Sequence, residues 1–577
     1  LGKKLDNWVE QNKENLARWY DRKNSGSNNL AEENPFTELA AEAKQKLDGA
    51  TGAVSAEAKK VEQTLNAGNR NTSGANGNGD FCPENSKLCT SGEPVSMVTG
   101  EELLELTDFT LKGLIPLTWT RVYRTSNAAL RGLGFGWTHP LSETLTLKGK
   151  TAVLADAEGR FIELPMPAEG QYSTNDYEGL LLQRLDKTTF RLKAKHKPDR
   201  IFQGTHTLRL IALVDAVGNR WDCHYSPAAG HITRMQSSWG TQLLFAHTAD
   251  GLIESIHSLY PNSEPMLLVR YRYSEERDLI EAEDICGDAE EFRYQNHIIV
   301  QRTLRTGYRF YFEWTEFSPR AKCLRQYGDN DNYNYRFEWN DKARVSRSID
   351  SNGGVLEIHY NLRGQVERQI DPLGYVTAFA YNEAGFLTEK TDAAGGVWRY
   401  DYDALGNLCR FIDPTGAQFL LEYDHSYRLV SYTDALGYSW RREFNAQGLV
   451  SEQIDAEGNK TQYFYNAQGL PELIVDALGR KRHFVWSENG VLLSQRYEDH
   501  EPIQYQYNAQ QQVAAVEQGG RTTRYEYNIK GDIAAVYYAD GTRARLQYNA
   551  NRQLTAFTDA TGRTTRFEYD GLSQIVR

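Results

Sequence analysis

Cysteine is scarce: the 577 residues contain six. A chain that poor in thiols is not a disulfide scaffold. Cys82 and Cys89 stand close enough to pair, and no second pair stands at metal-ligand spacing, which leaves thiols rather than a metal centre. Long apolar runs are missing as well. No window approaches the roughly 18 apolar residues that cross a bilayer as a helix. No secretory signal peptide opens the chain. Positive charge is in deficit, with a net charge of −12 and a pI near 5.6. The two signs are interspersed, which argues against a nucleic-acid-binding surface. The twelve histidines, among them His196, His206, His224, His231 and His247, are scattered. They form no HExxH pair, and no nucleophile elbow accompanies them.

What the chain has is a period. An aromatic residue followed by Asn or Asp recurs every 21 residues from position 339. It reads Trp339-Asn340, Tyr360-Asn361, Tyr381-Asn382, Tyr402-Asp403, Tyr423-Asp424, Phe444-Asn445, Tyr465-Asn466, Trp486-Ser487 and Tyr507-Asn508. After a one-residue deletion it resumes at Tyr527-Asn528, Tyr548-Asn549 and Tyr569-Asp570. A second ladder lies between these, Asp350, Asp371, Asp392, Asp413, Asp434, Asp455 and Asp476, each followed three residues later by glycine (Gly374, Gly395, Gly416, Gly437 and Gly479 among them). A repeat of this length means an extended array.

One period predicts one β-hairpin. Tyr375–Tyr381 alternates, with Thr377, Phe379 and Tyr381 on one face of a strand. Asn382-Glu383-Ala384-Gly385 is a turn, Phe386–Thr391 the return strand, and Asp392-Ala393-Ala394-Gly395 the turn into the next repeat. Asn and Asp bond their own backbone and Gly supplies positive φ, so these residues are turn formers rather than catalysts. The phased rings are expected to stack into continuous aromatic ladders. Twelve hairpins give about 24 strands and a sheet roughly 110 Å wide. Such a sheet curls as its twist accumulates and cannot fill its own interior. The expected fold class is therefore all-β, a spiral antiparallel sheet of hairpins around a hollow.

The rest of the chain divides by composition. Residues 1–65 carry apolar residues at helical spacing (Leu5, Trp8, Val9, Leu16; then 36–48 and 53–65) and predict a helical N-terminal segment that docks on the body or binds a partner. Residues 66–91 form a flexible Gly/Asn-rich linker. Residues 92–204 are a β-rich module, in which Gly132–Trp137 and Gly149-Lys150-Thr151 are turns; Thr144 stands where a Walker A motif needs its first glycine. Residues 205–338 are degenerate repeats, with Asp215-Ala216-Val217-Gly218 as one copy, and 339–577 are the regular array. Leu1 in place of Met, and a last repeat broken at Gln574–Arg577, predict a polypeptide that extends past both ends.

The aromatic-Asn/Asp signature with its Asp-x-x-Gly turns resembles the YD-repeat family, also called Rhs repeats, over about 205–577. Gly92-Glu93-Pro94-Val95 to Val98-Thr99-Gly100-Glu101, Pro116 to Ser126 with Arg121-Val122-Tyr123, and Gly134-Phe135-Gly136-Trp137 resemble the N-terminal module of bacterial Rhs proteins; Met97 is the one departure. The resemblance implies the shell of a polymorphic bacterial toxin, delivered by a type VI secretion system. In that family the repeats form a cocoon around a variable C-terminal toxin. Implied partners are that toxin fragment, the VgrG spike and PAAR tip through the N-terminal region, a dedicated chaperone and an immunity protein. Nucleic acid and membrane insertion are not implied for this stretch, and no cofactor is. The implied location is the bacterial cytoplasm before export, then outside or in the target cell. The self-cleaving aspartates of the family lie in a C-terminal motif that has no counterpart in this sequence, so no catalytic residue is carried over and the stretch is expected to be non-enzymatic. The positions singled out are structural: Tyr360, Asp371, Gly374, Tyr381, Asp392, Gly395, Tyr402, Asp413, Gly416, Tyr423, Asp434, Gly437, Tyr465, Asp476 and Gly479. An alternative from the residues alone is a cell-surface carbohydrate binder that uses the aromatic ladders.

Overall fold

The computed structural model describes residues 90–570, apart from 196 and 262, and residues 573–576. The N-terminal helices, most of the Gly/Asn-rich linker, Cys82, Cys89 and His196 lie outside the described residues. Within them the secondary structure is β throughout, save a single 3-10 turn at Asp329–Asp331. One antiparallel sheet runs hairpin by hairpin from Thr144–Lys148 to Thr564–Arg566.

The regular period shows why these residues fold this way. Val376–Tyr381 pairs with the return strand Leu387–Thr391, which pairs in turn with Val397–Tyr402. Between Ala380 and Tyr381 the register slips, Ala380 facing Glu389 and Tyr381 facing Leu387. Thr388 is left over as a bulge, and bulges bend and twist the strand that holds them. The slip recurs at Tyr360, Tyr402, Tyr423, Phe444, Tyr465, Trp486, Tyr507, Tyr527 and Tyr548. A bend repeated at one place in every period gives the strip a consistent curvature.

The start of the sheet is a small ring. Thr207–Val214 is long enough to serve two partners on one side: its first residues pair with Thr144–Lys148 and its last with Arg220–Tyr225. Thr144–Lys148 leads through Thr151–Ala155 to Phe161–Pro165. That strand is tied to Tyr172–Asn175 by Ser173 and Asn175, whose side chains donate to the carbonyls of Pro165 and Glu163 at 2.6 and 3.1 Å. Pairing from Tyr172–Asn175 through Leu180–Arg184, Thr189–Ala194 and Asp199–Gln203 returns to Thr207–Val214.

From there the strip winds past its own beginning. Asn219 Nδ2 donates to the Gln468 carbonyl across 249 residues, at 2.9 Å. Lys530 Nζ reaches Asp288 across 242 residues. The turn glycines at 385 and 406 lie against Tyr177 and Asp176, and Lys195 sits 5.4 Å over the Tyr427 ring. All these contacts join the same two edges. The Asn-type turns of the later residues meet the opposite, Asp-type edge of the earlier ones.

The core lies where residues 95–145 pack on the apolar face of the first winding. Trp119, Tyr123, Trp137, Trp221, Tyr271 and Phe190 are essentially inaccessible there. Trp221 donates to the Ile115 carbonyl at 3.0 Å, which ties the two layers.

Candidate functional site: the apolar face, its latches and its capped end

Each Asp and Asn of the two ladders is committed to its own turn. Asp371 Oδ1 accepts from the backbone N–H of Leu373 and Tyr375, both at 2.9 Å. Asp392 does the same with Ala394 and Gly396, Asp413 with Thr415 and Ala417, Asp434 with Leu436 and Tyr438, and Asp476 with Leu478 and Arg480. Gly374, Gly395, Gly416, Gly437 and Gly479 have φ between +76 and +87°, the left-handed region a side chain disfavours. For Asp413 the hydroxyl of Thr415 and the turn N–H groups hold the carboxyl below its usual range against the effect of burial. A carboxylate in this state is a committed acceptor and a poor proton donor.

The signature aromatics do something the period alone does not reveal. Tyr381 Oη donates to the Val366 carbonyl at 2.9 Å. Tyr402 donates to Leu387, Tyr465 to Val450, Tyr507 to Leu492, Tyr548 to Ile533 and Tyr569 to Leu554, at 2.7 to 3.0 Å and always 15 residues back. Trp486 makes the same bond through its indole N–H, to Pro471 at 2.7 Å. The carbonyl taken is where the ladder opens: Val366–Ile370 pairs with Val376–Tyr381 only at Arg368, Gln369 and Ile370. The ring fills the splayed end of each strand pair and its hydroxyl satisfies the exposed acceptor. Burial pushes Tyr465 and Tyr507 up to about 12, which keeps them protonated as donors. Ring stacking itself is local. One run passes Phe411, Phe419, Tyr432 and Trp440 with centroids 4.3, 6.4 and 5.8 Å apart. Beyond Trp440 the register puts Arg442, Gln453 and Thr461 on that face, so the expected unbroken aromatic ladder gives way to polar groups.

The same face changes character along the strip. Over the first winding it is closed off by residues 95–145. Between Leu421 and Phe484 not one apolar side chain among the described residues is buried. Trp440, Tyr463 and Ile474 are only partly buried there, on the same face as Gln453, and Tyr463 Oη donates to Gln453 at 2.8 Å. The opposite face carries charge, as in the Glu452–Lys460 pair at 2.7 Å.

The capped end is ionic inside. Arg121 bridges Asp108 and Glu290, each at 2.9 Å, and Glu290 also holds Arg302 at 2.7 Å. Burial pushes the Glu290 carboxyl up, but Arg302 and Arg121 outweigh it and hold it at about 2. Tyr271 donates to Asp108 and accepts from Trp119, and Trp137 donates to Tyr294 at 2.9 Å. The motif residues Glu101, Arg124 and Ser126 meet: Arg124 Nη2 lies 2.5 Å from Glu101, and Ser126 donates to the same carboxylate. Gly136 admits the Tyr123 ring, where a β-carbon would come within 2.5 Å. Asp108, Glu290 and Arg302 carry no sequence signal; they are single charges far apart in the chain. Among the described residues no cluster of three or more His, Cys, Asp or Glu could hold a metal ion.

Known proteins share these parts. Residues 92–164 match a family described as a domain of unknown function, DUF6531. Residues 360–397, 381–418 and 444–481 match the RHS Repeat, and 483–577 match the Teneurin YD-shell. Toxin protein Tse5 of Pseudomonas aeruginosa is 25% identical over 50% of this chain and 27% of its own length. Double-stranded DNA deaminase toxin A of Burkholderia cenocepacia is 21% identical over 48% of this chain and 20% of its own. A solved Tc holotoxin pore of Photorhabdus luminescens aligns over 77% of this chain and 31% of that one, at 12% identity and a TM-score of 0.38. The match spans between 17 and 27% of the length of the curated relatives. With the module, the repeats and the YD-shell segment following one another in a single chain, the protein carries Rhs/YD repeats and is similar over them to the Rhs-type toxins.

Proposed function

We propose that this strip is part of the non-catalytic wall of a hollow shell that encloses a toxin segment of the same polypeptide and carries it out of the producing cell. The observation that carries the proposal is the sector from Leu421 to Phe484, where the face that is core in the first winding has no buried apolar side chain among the described residues. A protein normally buries such a face against another element. Here the polar and aromatic lining would meet a cargo instead. The ionic cap at residues 95–145 closes one end of the enclosure. The turn aspartates are spent on backbone N–H groups, which supports a wall without chemistry of its own. Relatives named for different toxins share this stretch, which supports a common container for interchangeable cargo.

Export through a type VI secretion system, with the VgrG spike and PAAR tip engaged through the N-terminal region and a chaperone and immunity protein in attendance, is part of the same proposal. Its test is protease protection of the full-length polypeptide. The toxin segment is expected to survive proteinase K while the wall is intact, and to be digested once Arg121→Met breaks the cap. Digestion of the toxin segment at the same rate in both proteins would overturn the reading.

A further inference from the structure

A titratable ring stands in one latch slot of the first winding. The slot is the strand end where the register slips, and there it holds Tyr225, His247, Tyr273, Tyr294 and Trp314. Tyr225, Tyr294 and Trp314 donate to the carbonyls of Leu210, Leu279 and Ile299, again 15 residues back. His247 instead stacks on His231, with ring centroids 5.2 Å apart. Gly251, at φ +83°, leaves room for that stack: a β-carbon there would come 2.2 Å from His231 Cε1. In the degenerate copy His247-Thr248-Ala249-Asp250-Gly251, histidine thus replaces a ring that does not titrate near neutrality.

The capping module is joined to the wall at this same place. The Ile253 N–H, just past the His247 turn, donates to the Gly132 carbonyl at 2.8 Å. Gly132 lies against the buried ring of His139, where a β-carbon would come 2.8 Å from Nε2. His139 stacks on Trp119, centroids 4.9 Å apart, and its Nδ1 accepts from the Leu141 N–H at 3.3 Å. That bond needs a neutral imidazole, because a proton on Nδ1 sets donor against donor. The charged groups that face His139 are Arg131 of the module and His247 of the wall, and neither is an acid. Asp156 faces Arg131 but is spent on Arg160, 2.8 Å away. Burial pushes His139 down to about 3, with Arg131 and His247 adding to the shift. Burial, and then His231, lowers His247 as well. On the other flank of the module His297 does have an acid, Asp278, at 2.8 Å.

We propose that His139 and His247 make the joint between the module and the first winding acid-labile, so that the capped end loosens in mild acid. A histidine held neutral in the fold contributes its full stability above the released value near 6.5. It loses that stability as pH falls from there toward the folded value. This window lies above the one in which the turn aspartates titrate, so the joint yields before the hairpins do. The inference concerns the joint itself; only its consequence, exposure of an enclosed segment, rests on the shell reading.

The test is hydrogen exchange of the full-length polypeptide at pH 7 and pH 5, corrected for the intrinsic rate. Exchange over 132–139 and 247–253 is expected to quicken by roughly 20-fold, the factor supplied by one histidine released to a value near 6.5. The turn at 382–385 is expected to keep its protection. His247→Tyr restores the ring that the slot holds elsewhere, and His139→Phe keeps the stack on Trp119. Each is expected to reduce the acceleration, and His297→Gln to leave it unchanged. Urea midpoints at pH 8 establish that the variants are folded; should His139→Phe fail that check, His247→Tyr alone decides. No acceleration in the parent, an equal one in the His139 and His247 variants, or its loss in His297→Gln would overturn the proposal. Protease protection of the toxin segment is read separately at pH 7, so failure of the joint and failure of the shell are distinguishable.

Discussion

The hydroxyl of Tyr381 donates to the carbonyl of Val366, 15 residues back and one hairpin away, at 2.9 Å. The bond sits where the two hairpins part, and its recurrence explains a preference that packing leaves open. Phe would fill the same space, yet the positions are Tyr or Trp at 360, 381, 402, 423, 465, 486, 507, 527, 548 and 569. Phe444 is the exception, and it lacks the donor.

That exception makes a prediction in two directions. Phe444→Tyr supplies a hydroxyl for the Leu429 carbonyl and is expected to stabilise the array by about 0.5–1.5 kcal/mol, the usual net value of one such bond. Tyr465→Phe is expected to destabilise by a similar amount, because the Val450 carbonyl loses its partner. Urea midpoints of the two variants check both signs. A Phe444→Tyr protein no more stable than the parent would remove the latch from the account.

Acid should loosen the turns. The Asp559 carboxyl is held at about 2 by the Thr561 hydroxyl first, against burial, with the N–H groups of Arg563 and Thr561 and the Arg563 side chain assisting. Asp413, Asp455 and Asp540 are lowered for the same kind of reason. A carboxyl depressed in the fold contributes stability above its unfolded value near 3.8 and loses it as pH falls toward the folded value. Melting temperature is therefore expected to drop between about pH 4 and 2. Asp559→Asn, which keeps the acceptor oxygen, should flatten its share of that drop.

Glu102 behaves in the opposite sense. Both its carboxylate oxygens are buried at the seam between the module and the sheet without a hydrogen-bond partner. Burial raises its carboxyl well above the usual range, with Glu93 adding to the shift and Arg302 opposing it. A raised acid penalises the fold once pH climbs past its unfolded value, and the penalty grows until the folded value is passed. Glu102→Gln removes the penalty. The melting-temperature gain of this variant over the parent should be larger at pH 8 than at pH 5; equal gains would contradict the assignment.

The second winding is held to the first at few charged points. Lys530 lies 2.7 Å from Asp284 and 2.5 Å from Asp288 and donates to the Ala550 carbonyl at 2.9 Å. Lys530→Met leaves two acidic groups facing each other without their cation. Hydrogen exchange is expected to quicken at 284–288 and 528–531 together, while the turn at 466–469 keeps its protection.

Much of this fold is legible in the sequence, because the hairpin is a local object. Tyr381, Asn382, Gly385, Asp392 and Gly395 state a strand, a turn, a return and a turn within 21 residues, and each choice is dictated by its own backbone. The 15-residue reach of the Tyr hydroxyl is hidden, since an aromatic at a strand end reads first as packing. The contact of Val217 with Gly469 joins a degenerate repeat to a regular one across half the chain, and neither residue advertises it. The ionic cap is hidden for a related reason: Arg121 belongs to a recognisable strand motif, but Asp108, Glu290 and Arg302 become a cluster only in three dimensions.

The central claim is enclosure, and cryo-electron microscopy of the full-length polypeptide tests it most directly. Enclosure predicts density that is not wall inside the winding, lying against the face around Trp440, Gln453, Tyr463 and Ile474. An interior filled solidly by the wall's own side chains, or a toxin segment found wholly outside it, would contradict the claim.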